Sequence, residues 1–198
     1  MKLIFISGPS GSGKTTLSNR ILVKFKNGIA LNTDNYYKTG ISSKILSIFV
    51  KGYFDRYISF NYKLFKKDFD FIVQNGMSKN VRSYNFKEKK IQSFLNEIKN
   101  IKFLIVEGIF AKEFSKTLYK KKFFLLELKT NKKSCMTRVI ERDYKERGKL
   151  KKQAKNDFLK SWNIYYEKFR NEPIKRNTNE IIITKNTSID KVLNNIFN

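Results

Sequence analysis

The sequence predicts an α/β fold, a three-layer domain whose mostly parallel sheet is covered by helices on both faces. Three observations carry this. Short runs that are apolar throughout, Leu3-Ile4-Phe5-Ile6, Phe103-Leu104-Ile105-Val106 and Phe123-Phe124-Leu125-Leu126, read as strands buried from both sides. Stretches with apolar residues at helical spacing alternate with them. No internal repeat and no linker rich in proline or glycine divides the 198 residues.

The elements follow in order. Lys2 to Ser7 is a strand ending at a glycine- and serine-rich turn, Gly8 to Gly13. Leu17, Ile21, Leu22 and Phe25 share a face, which predicts a helix over Lys14 to Lys26, closed by Gly28. Ile29 to Thr33 is a short strand ending at Asp34, and Asn35 to Gly52 a loop with a helical turn or two around Ile45 to Val50. Leu64, Phe65, Phe69 and Ile72 place a helix over Phe60 to Gln74. Asn80 to Phe86 reads as a strand and Ile91 to Ile98 as a short helix or turn. Lys102 to Val106, ending in Glu107-Gly108, and Phe123 to Leu128 are buried strands. Lys132 to Glu146 is a helix, Lys149 to Gln153 a charged and mobile segment, and Phe158 to Phe169 a helix. Ile181 to Thr184 and Ile189 to Phe197 supply a last strand and a last helix.

Composition narrows the function classes. Forty-two basic residues against 17 acidic ones give a net charge of +25. The lysines are spread along the chain and accompany abundant Asn, Ile, Phe and Tyr, all favoured by A/T-rich codons. The excess therefore reads as solvated surface, with nucleic acid not the favoured partner. The apolar runs are too short to span a membrane, and Met1-Lys2 leads straight into the first strand, so neither membrane nor signal peptide is expected. The lone Cys135 cannot form an internal disulfide and points to a reducing cytoplasm. With no histidine, His-based triads and His-ligated zinc are excluded.

In such sheets ligands bind beyond the carboxyl ends of the strands. There, Gly8-Pro9-Ser10-Gly11-Ser12-Gly13-Lys14-Thr15 fits the phosphate-loop pattern G-x-x-x-x-G-K-[ST], between a strand and a helix as the pattern requires. Its glycines let backbone N–H groups converge on phosphate oxygens at a helix N-terminus. Lys14 offers a charge to the β- and γ-phosphates, and Thr15 a hydroxyl to Mg²⁺. The expected fold is thus a P-loop NTPase type, with a nucleoside triphosphate, ATP or GTP, on Gly8 to Thr15 and the adjoining Thr16. Asp34, the only acidic residue among the first 54, ends the second strand, where it can accept a proton from an attacking hydroxyl or approach Mg²⁺. Glu107 ends a central strand and can hold the metal through water. Each carboxylate alone could merely cap its own backbone; together, facing a phosphate loop, they predict phosphoryl transfer to a hydroxyl. Arg138 and Arg142 lie four apart on one helical face, with Arg147 beyond. They predict guanidiniums aimed at the triphosphate on a helical lid, against the alternative of a solvated basic face.

With these residues in place the sequence resembles the uridine kinase family, relatives of phosphoribulokinase and pantothenate kinase. The resemblance runs through Gly8 to Thr15, Asn32-Thr33-Asp34-Asn35-Tyr36-Tyr37-Lys38, Gly52-Tyr53-Phe54-Asp55, Tyr84-Asn85-Phe86, Val106-Glu107-Gly108-Ile109, and Arg142-Asp143 with Glu146-Arg147-Gly148. It implies one kinase domain over 1–198 with a lid at about 143–157, using ATP and Mg²⁺ to phosphorylate uridine, cytidine or a related small molecule. It implies Asp34 as catalytic base, with Lys14, Arg142 and Arg147 also acting on the transfer. Thr15, Glu107 and Asp34 are the implied metal site. Asp55 is the implied grip on the ribose hydroxyls, and Tyr37, Phe54 and Tyr84 are implied walls of the acceptor pocket. The family's pyrimidine-reading histidine has no counterpart; Lys89 or Lys90 stands nearby, Val139 replaces an expected arginine, and Asp157 falls near an expected glutamine. A nucleotide-dependent regulatory or nucleic-acid-binding protein that lost acceptor chemistry is the alternative, and self-association is left open.

Overall fold

The computed structural model describes residues 1–40, 45, 49–50, 53, 56–85, 88, 90–117, 122–168 and 178–198 of the chain. In chain order its elements are β1 (Lys2–Ser7), α1 (Lys14–Lys24), β2 (Gly28–Asn32), α2 (Tyr62–Asn75), β3 (Ser78–Asn85), β4 (Lys90–Ile98), β5 (Phe103–Glu107), α3 (Ala111–Ser115), β6 (Phe123–Leu128), α4 (Lys132–Arg147), α5 (Lys151–Lys168), β7 (Thr178–Ile183) and α6 (Ile189–Phe197). Short 3₁₀ turns lie at Thr33–Tyr36 and Tyr57–Ser59. The main sheet has the order β2-β5-β1-β6-β7, and every neighbouring pair in it is parallel. From β1 the chain crosses to β2 on one side, while β6 and β7 lie on the other. The crevice where a doubly wound sheet binds ligands therefore opens above the carboxyl end of β1.

Alternation along the buried strands divides the core in two. On one face Leu3, Phe5, Leu104, Val106 and Leu125 meet Phe65 and Phe69 of α2 and Phe114 of α3. The Phe114 ring lies edge-on to Phe65 and Phe69, at 4.4 and 5.0 Å. On the other face Ile4, Ile6, Ile105, Leu126 and Leu128 meet Leu17 and Ile21 of α1 and Leu193 and Ile196 of α6. Burying each such side chain contributes about 1.5–3 kcal/mol, which is why the strands read as continuous apolar runs. A smaller cluster, Cys135 and Val139 with Phe158, joins α4 to α5. Among the described residues no helix is long and apolar enough to cross a membrane.

Three expectations are corrected, and one element is added. Helix α1 stops at Lys24, Asn27 takes the left-handed turn with φ 65°, and Gly28 opens β2 instead of closing the helix. A Cβ on Gly28 would lie 2.0 Å from the Phe103 ring, so close strand packing accounts for that glycine. Lys90–Ile98 is a strand, not a helix or turn, paired antiparallel to β3 with Tyr84 opposite Ile91 and Val81 opposite Phe94. Its apolar residues fall at helical spacing, but the ladder hydrogen bonds that β3 offers outweigh that local pattern. The segment expected to be mobile is largely helical, because α5 begins at Lys151 and buries Ala154. The short helix α3, which buries Phe114, was not anticipated. The turns expected around Ile45 to Val50, like Gly52, Phe54 and Asp55, fall largely or wholly outside the described residues.

Candidate active site

The loop from Gly8 to Gly13 joins β1 to α1 and is clamped from the side by the β6–α4 connection. The Thr130 hydroxyl donates to the Ser12 carbonyl at 3.1 Å, and Arg138 Nη1 donates to the Gly11 carbonyl at 3.2 Å. Gly11, at φ 78°, has room for no side chain: a Cβ there would lie 2.5 Å from the Cys135 carbonyl oxygen. Helix α1 starts from Gly13 without a side-chain cap, which leaves its first N–H groups for an anion. Lys14 Nζ donates to the Gly8 and Pro9 carbonyls, both at 3.0 Å, inside the curl of the loop. Burial lowers its pKa, while the charges of Glu107 and Asp34 oppose that loss and Arg142 adds to it. The Ser7 and Ser12 hydroxyls are buried with no hydrogen-bond partner among the described residues. Such orphaned donors are expensive unless a ligand takes them up.

Strand register brings the carboxylates to this loop. Glu107 lies opposite Ile6 of β1 and Asn32 of β2, at the carboxyl edge of the sheet. Its Oε1 accepts from the Thr15 hydroxyl at 3.0 Å and from the Asn32 side-chain amide at 2.6 Å. Burial pushes the carboxyl up to about 6, Lys14 pulls it down and Asp34 pushes it up again. Gly108 lets this strand end press on the next turn, since a Cβ there would fall 1.8 Å from Thr33 Oγ1. Asp34 sits in the 3₁₀ turn; its backbone N–H donates to Asn32 Oδ1 at 2.8 Å, and the Tyr37 hydroxyl donates to its carboxylate at 3.2 Å. The charge of Asp34 bears on both Lys14 and Glu107, so the three groups neighbour one another. The hydroxyl and carboxylate oxygens of Thr15 and Glu107 are hard donors suited to Mg²⁺. Among the described residues no three acidic or cysteine side chains gather as a metal cage of their own.

The arginines divide. Arg138, expected to aim at a triphosphate with Arg142, holds the loop's own backbone. Arg142 donates through Nε and Nη2 to Asp143 Oδ1 at 3.0 and 2.8 Å, and Arg147 Nη1 lies 3.4 Å from the same oxygen. Burial lowers the pKa of Arg147; Arg142 adds to that, and Asp143, Asp34 and Tyr37 oppose it.

Tyr37 and Tyr84, expected as pocket walls, are buried with ring centroids 5.2 Å apart, and Tyr37 also lies edge-on to Phe110. The Tyr84 N–H donates to Asn35 Oδ1, tying the ribbon to the 3₁₀ turn. Val139 lies buried under Gly11 with Cys135. Phe54 and Asp55 lie outside the described residues. Two residues with bridging positions, Asn32 and Asp143, carried no role in the sequence reading. The signal for Asp143 was its place between two arginines, one and four residues away, in a chain with few acids.

A family model described as "Phosphoribulokinase / Uridine kinase family" matches residues 3–188. A uridine kinase of Borrelia duttonii is 31% identical over 195 residues, covering 98% of this chain and 91% of that protein. One from Staphylococcus aureus is 30% identical over 188 residues, covering 91% and 86%. Among solved structures, a putative fructose transport system kinase from a Silicibacter species superposes with TM-score 0.61 at 15% identity, covering 91% of this chain and 89% of that one. D-glycerate 3-kinase from Cryptococcus neoformans gives 0.59 at 13%, covering 92% and 86%. At these identities the two structures speak for the fold.

Proposed function

The chain belongs to the phosphoribulokinase/uridine kinase family, and from that premise we propose that it transfers the γ-phosphoryl group of ATP to a hydroxyl of a small acceptor, uridine or cytidine first. The observation that carries this reading is a chain of three hydrogen bonds: the Thr15 hydroxyl and the Asn32 amide both donate to Glu107, and Asn32 Oδ1 accepts from the backbone N–H of Asp34, which ties the phosphate loop to the turn that carries the Asp34 carboxylate.

In this reading Gly8 to Thr16 take the triphosphate, with the uncapped N-terminus of α1 and the Ser12 hydroxyl as donors. Lys14 exchanges its loop carbonyls for β- and γ-phosphate oxygens. Thr15 and Glu107, with Asp34 beside them, would hold Mg²⁺, which would supply charge neutralisation on the phosphates. Asp34 accepts the proton of the acceptor hydroxyl, and the Tyr37 hydroxyl fixes the orientation of its carboxylate. Arg142 and Arg147 meet the charge that spreads over the transferred group. Tyr37, Tyr84 and Phe54 form the acceptor wall and Asp55 grips its diol. We read 1–198 as one kinase domain, residues 143–157 as its lid, and the cytoplasm as its compartment.

A coupled ADP-release screen over nucleosides, pantothenate and sugar phosphates, with ATP and with GTP, tests the proposal. Acceptor-dependent ADP formation is expected, fastest with a pyrimidine nucleoside. ATP consumption indifferent to every acceptor, beside salt-sensitive binding to nucleic acid, would replace it with a regulatory role.

A further inference from the structure

We propose that Asp143 is the positioning residue of this site, holding the guanidiniums of Arg142 and Arg147 where a triphosphate can meet them; the proposal rests on the phosphoryl-transfer reading above. The carboxylate is buried, with 4% of its side chain exposed, and it gathers three cations. Oδ1 takes Arg142 at 2.8 Å and Arg147 at 3.4 Å, while Oδ2 lies 3.5 Å from Lys149 Nζ. Lys149 is shared with Asp157 of α5 at 2.9 Å, so the cluster also spans the turn between α4 and α5. The backbone of the same residue closes the helix: the Asp143 carbonyl accepts from the N–H groups of Gly148 and Lys149.

Three cations within reach of one another repel, and long side chains on a helix end sample many rotamers. One buried carboxylate offsets the repulsion and selects the rotamers, because a charge-assisted contact to Arg is strong and directional. The charge of Arg142 bears on Lys14, and those of Asp34 and Tyr37 bear on Arg147, so both guanidiniums stand among the groups of the proposed site. A single carboxylate oxygen thus sets the spacing between the two cations that the triphosphate meets.

The test is calorimetric titration of the full chain, in Mg²⁺, with ADP and with a β,γ-imido ATP analogue. The parent should bind the triphosphate analogue more tightly than ADP. Asp143→Asn, alike in shape but uncharged, should cut that preference about tenfold while ADP affinity stays within about threefold. Arg147→Ala should cut it similarly, and the double variant should lose little more than either alone, because Asp143 acts through the arginine. A merely structural role would lower ADP affinity as well, and its losses would multiply. A parent without preference for the triphosphate, an unchanged preference in Asp143→Asn, or multiplying losses each overturn the proposal. Should the Asn variant not fold, Asp143→Glu keeps the charge but moves it by one methylene; the same loss of preference is expected, and parent-like behaviour overturns. The titration needs no acceptor, so a failed acceptor screen would remove the kinase reading without deciding on Asp143.

Discussion

The side-chain amide of Asn32 spans the gap between the two carboxylate residues of the crevice: Nδ2 donates to Glu107 Oε1 at 2.6 Å while Oδ1 accepts from the Asp34 N–H at 2.8 Å. One short side chain therefore fixes both the end of β5 and the turn that follows β2. Asn32→Ala should lower kcat about tenfold or more and leave the acceptor KM within a few fold, since it loosens geometry without removing a contact to either substrate. Steady-state kinetics against the best acceptor from the screen checks this; an unchanged kcat would contradict it.

Asp34→Asn keeps the shape of the side chain and removes its proton affinity. Turnover should fall about 10²- to 10⁴-fold, the range a positioned general base supplies, while ADP affinity stays within a few fold. Activity close to the parent level would take Asp34 out of the mechanism.

Lys14 Nζ donates to two loop carbonyls, contacts that phosphate oxygens replace in the proposed function. Lys14→Ala should weaken ATP and ADP binding itself, about 10- to 100-fold for a charge-assisted contact of about 1.5–3 kcal/mol. Calorimetry distinguishes this binding defect from the catalytic defect of Asp34→Asn.

Burial raises the Glu107 carboxyl to about 6 from its ordinary 4.5. A carboxyl raised in this way binds its proton more readily in the folded chain. Its stabilising contribution is complete below pH 4.5 and is lost as the pH rises through 6. The difference corresponds to about 2 kcal/mol. Glu107→Gln, which mimics the protonated form, should exceed the nucleotide-free parent in stability by about that amount at pH 7. The excess should vanish toward pH 4.5. Urea unfolding at the two pH values reads it directly, and an equal gap at both would refute the sign.

Two glycines separate stability from binding. Gly28→Ala drives a methyl into the buried Phe103 ring, which the Phe197 ring holds edge-on at 4.9 Å, and should cost about 1–3 kcal/mol. Gly28 begins its strand, remote from the carboxyl edge, so ADP affinity should be preserved. Gly11→Ala presses on the Cys135 carbonyl from a left-handed backbone and should lose ADP affinity too. Thermal melting paired with ADP titration checks both.

Much of this was legible because the decisive signals are local. Strands buried on both faces must be apolar throughout, and a loop that wraps phosphate must be glycine-rich beside a lysine, so β1, β5, β6 and Gly8 to Thr15 could be read directly. Asp34 and Glu107 followed from strand ends in a parallel sheet. What the chain concealed depends on partners distant in sequence. Lys90–Ile98 becomes a strand only because β3 lies beside it. Gly28 answers to Phe103, 75 residues away, and Arg138 to the backbone of Gly11. Asn32 looks like an ordinary strand-end residue until Glu107 is set opposite it. Asp143 reads as one acid in a basic helix until three cations are seen to turn toward it.

Cys135 is the single sulfhydryl of the chain, wholly enclosed where α4 abuts the loop, and burial pushes its pKa upward against the charges of Arg138 and Lys14. Alkylating reagents will reach it only when that contact parts. The rate at which iodoacetamide modifies the native chain is thus a clock for the separation of helix and loop, readable by mass spectrometry without any engineered label.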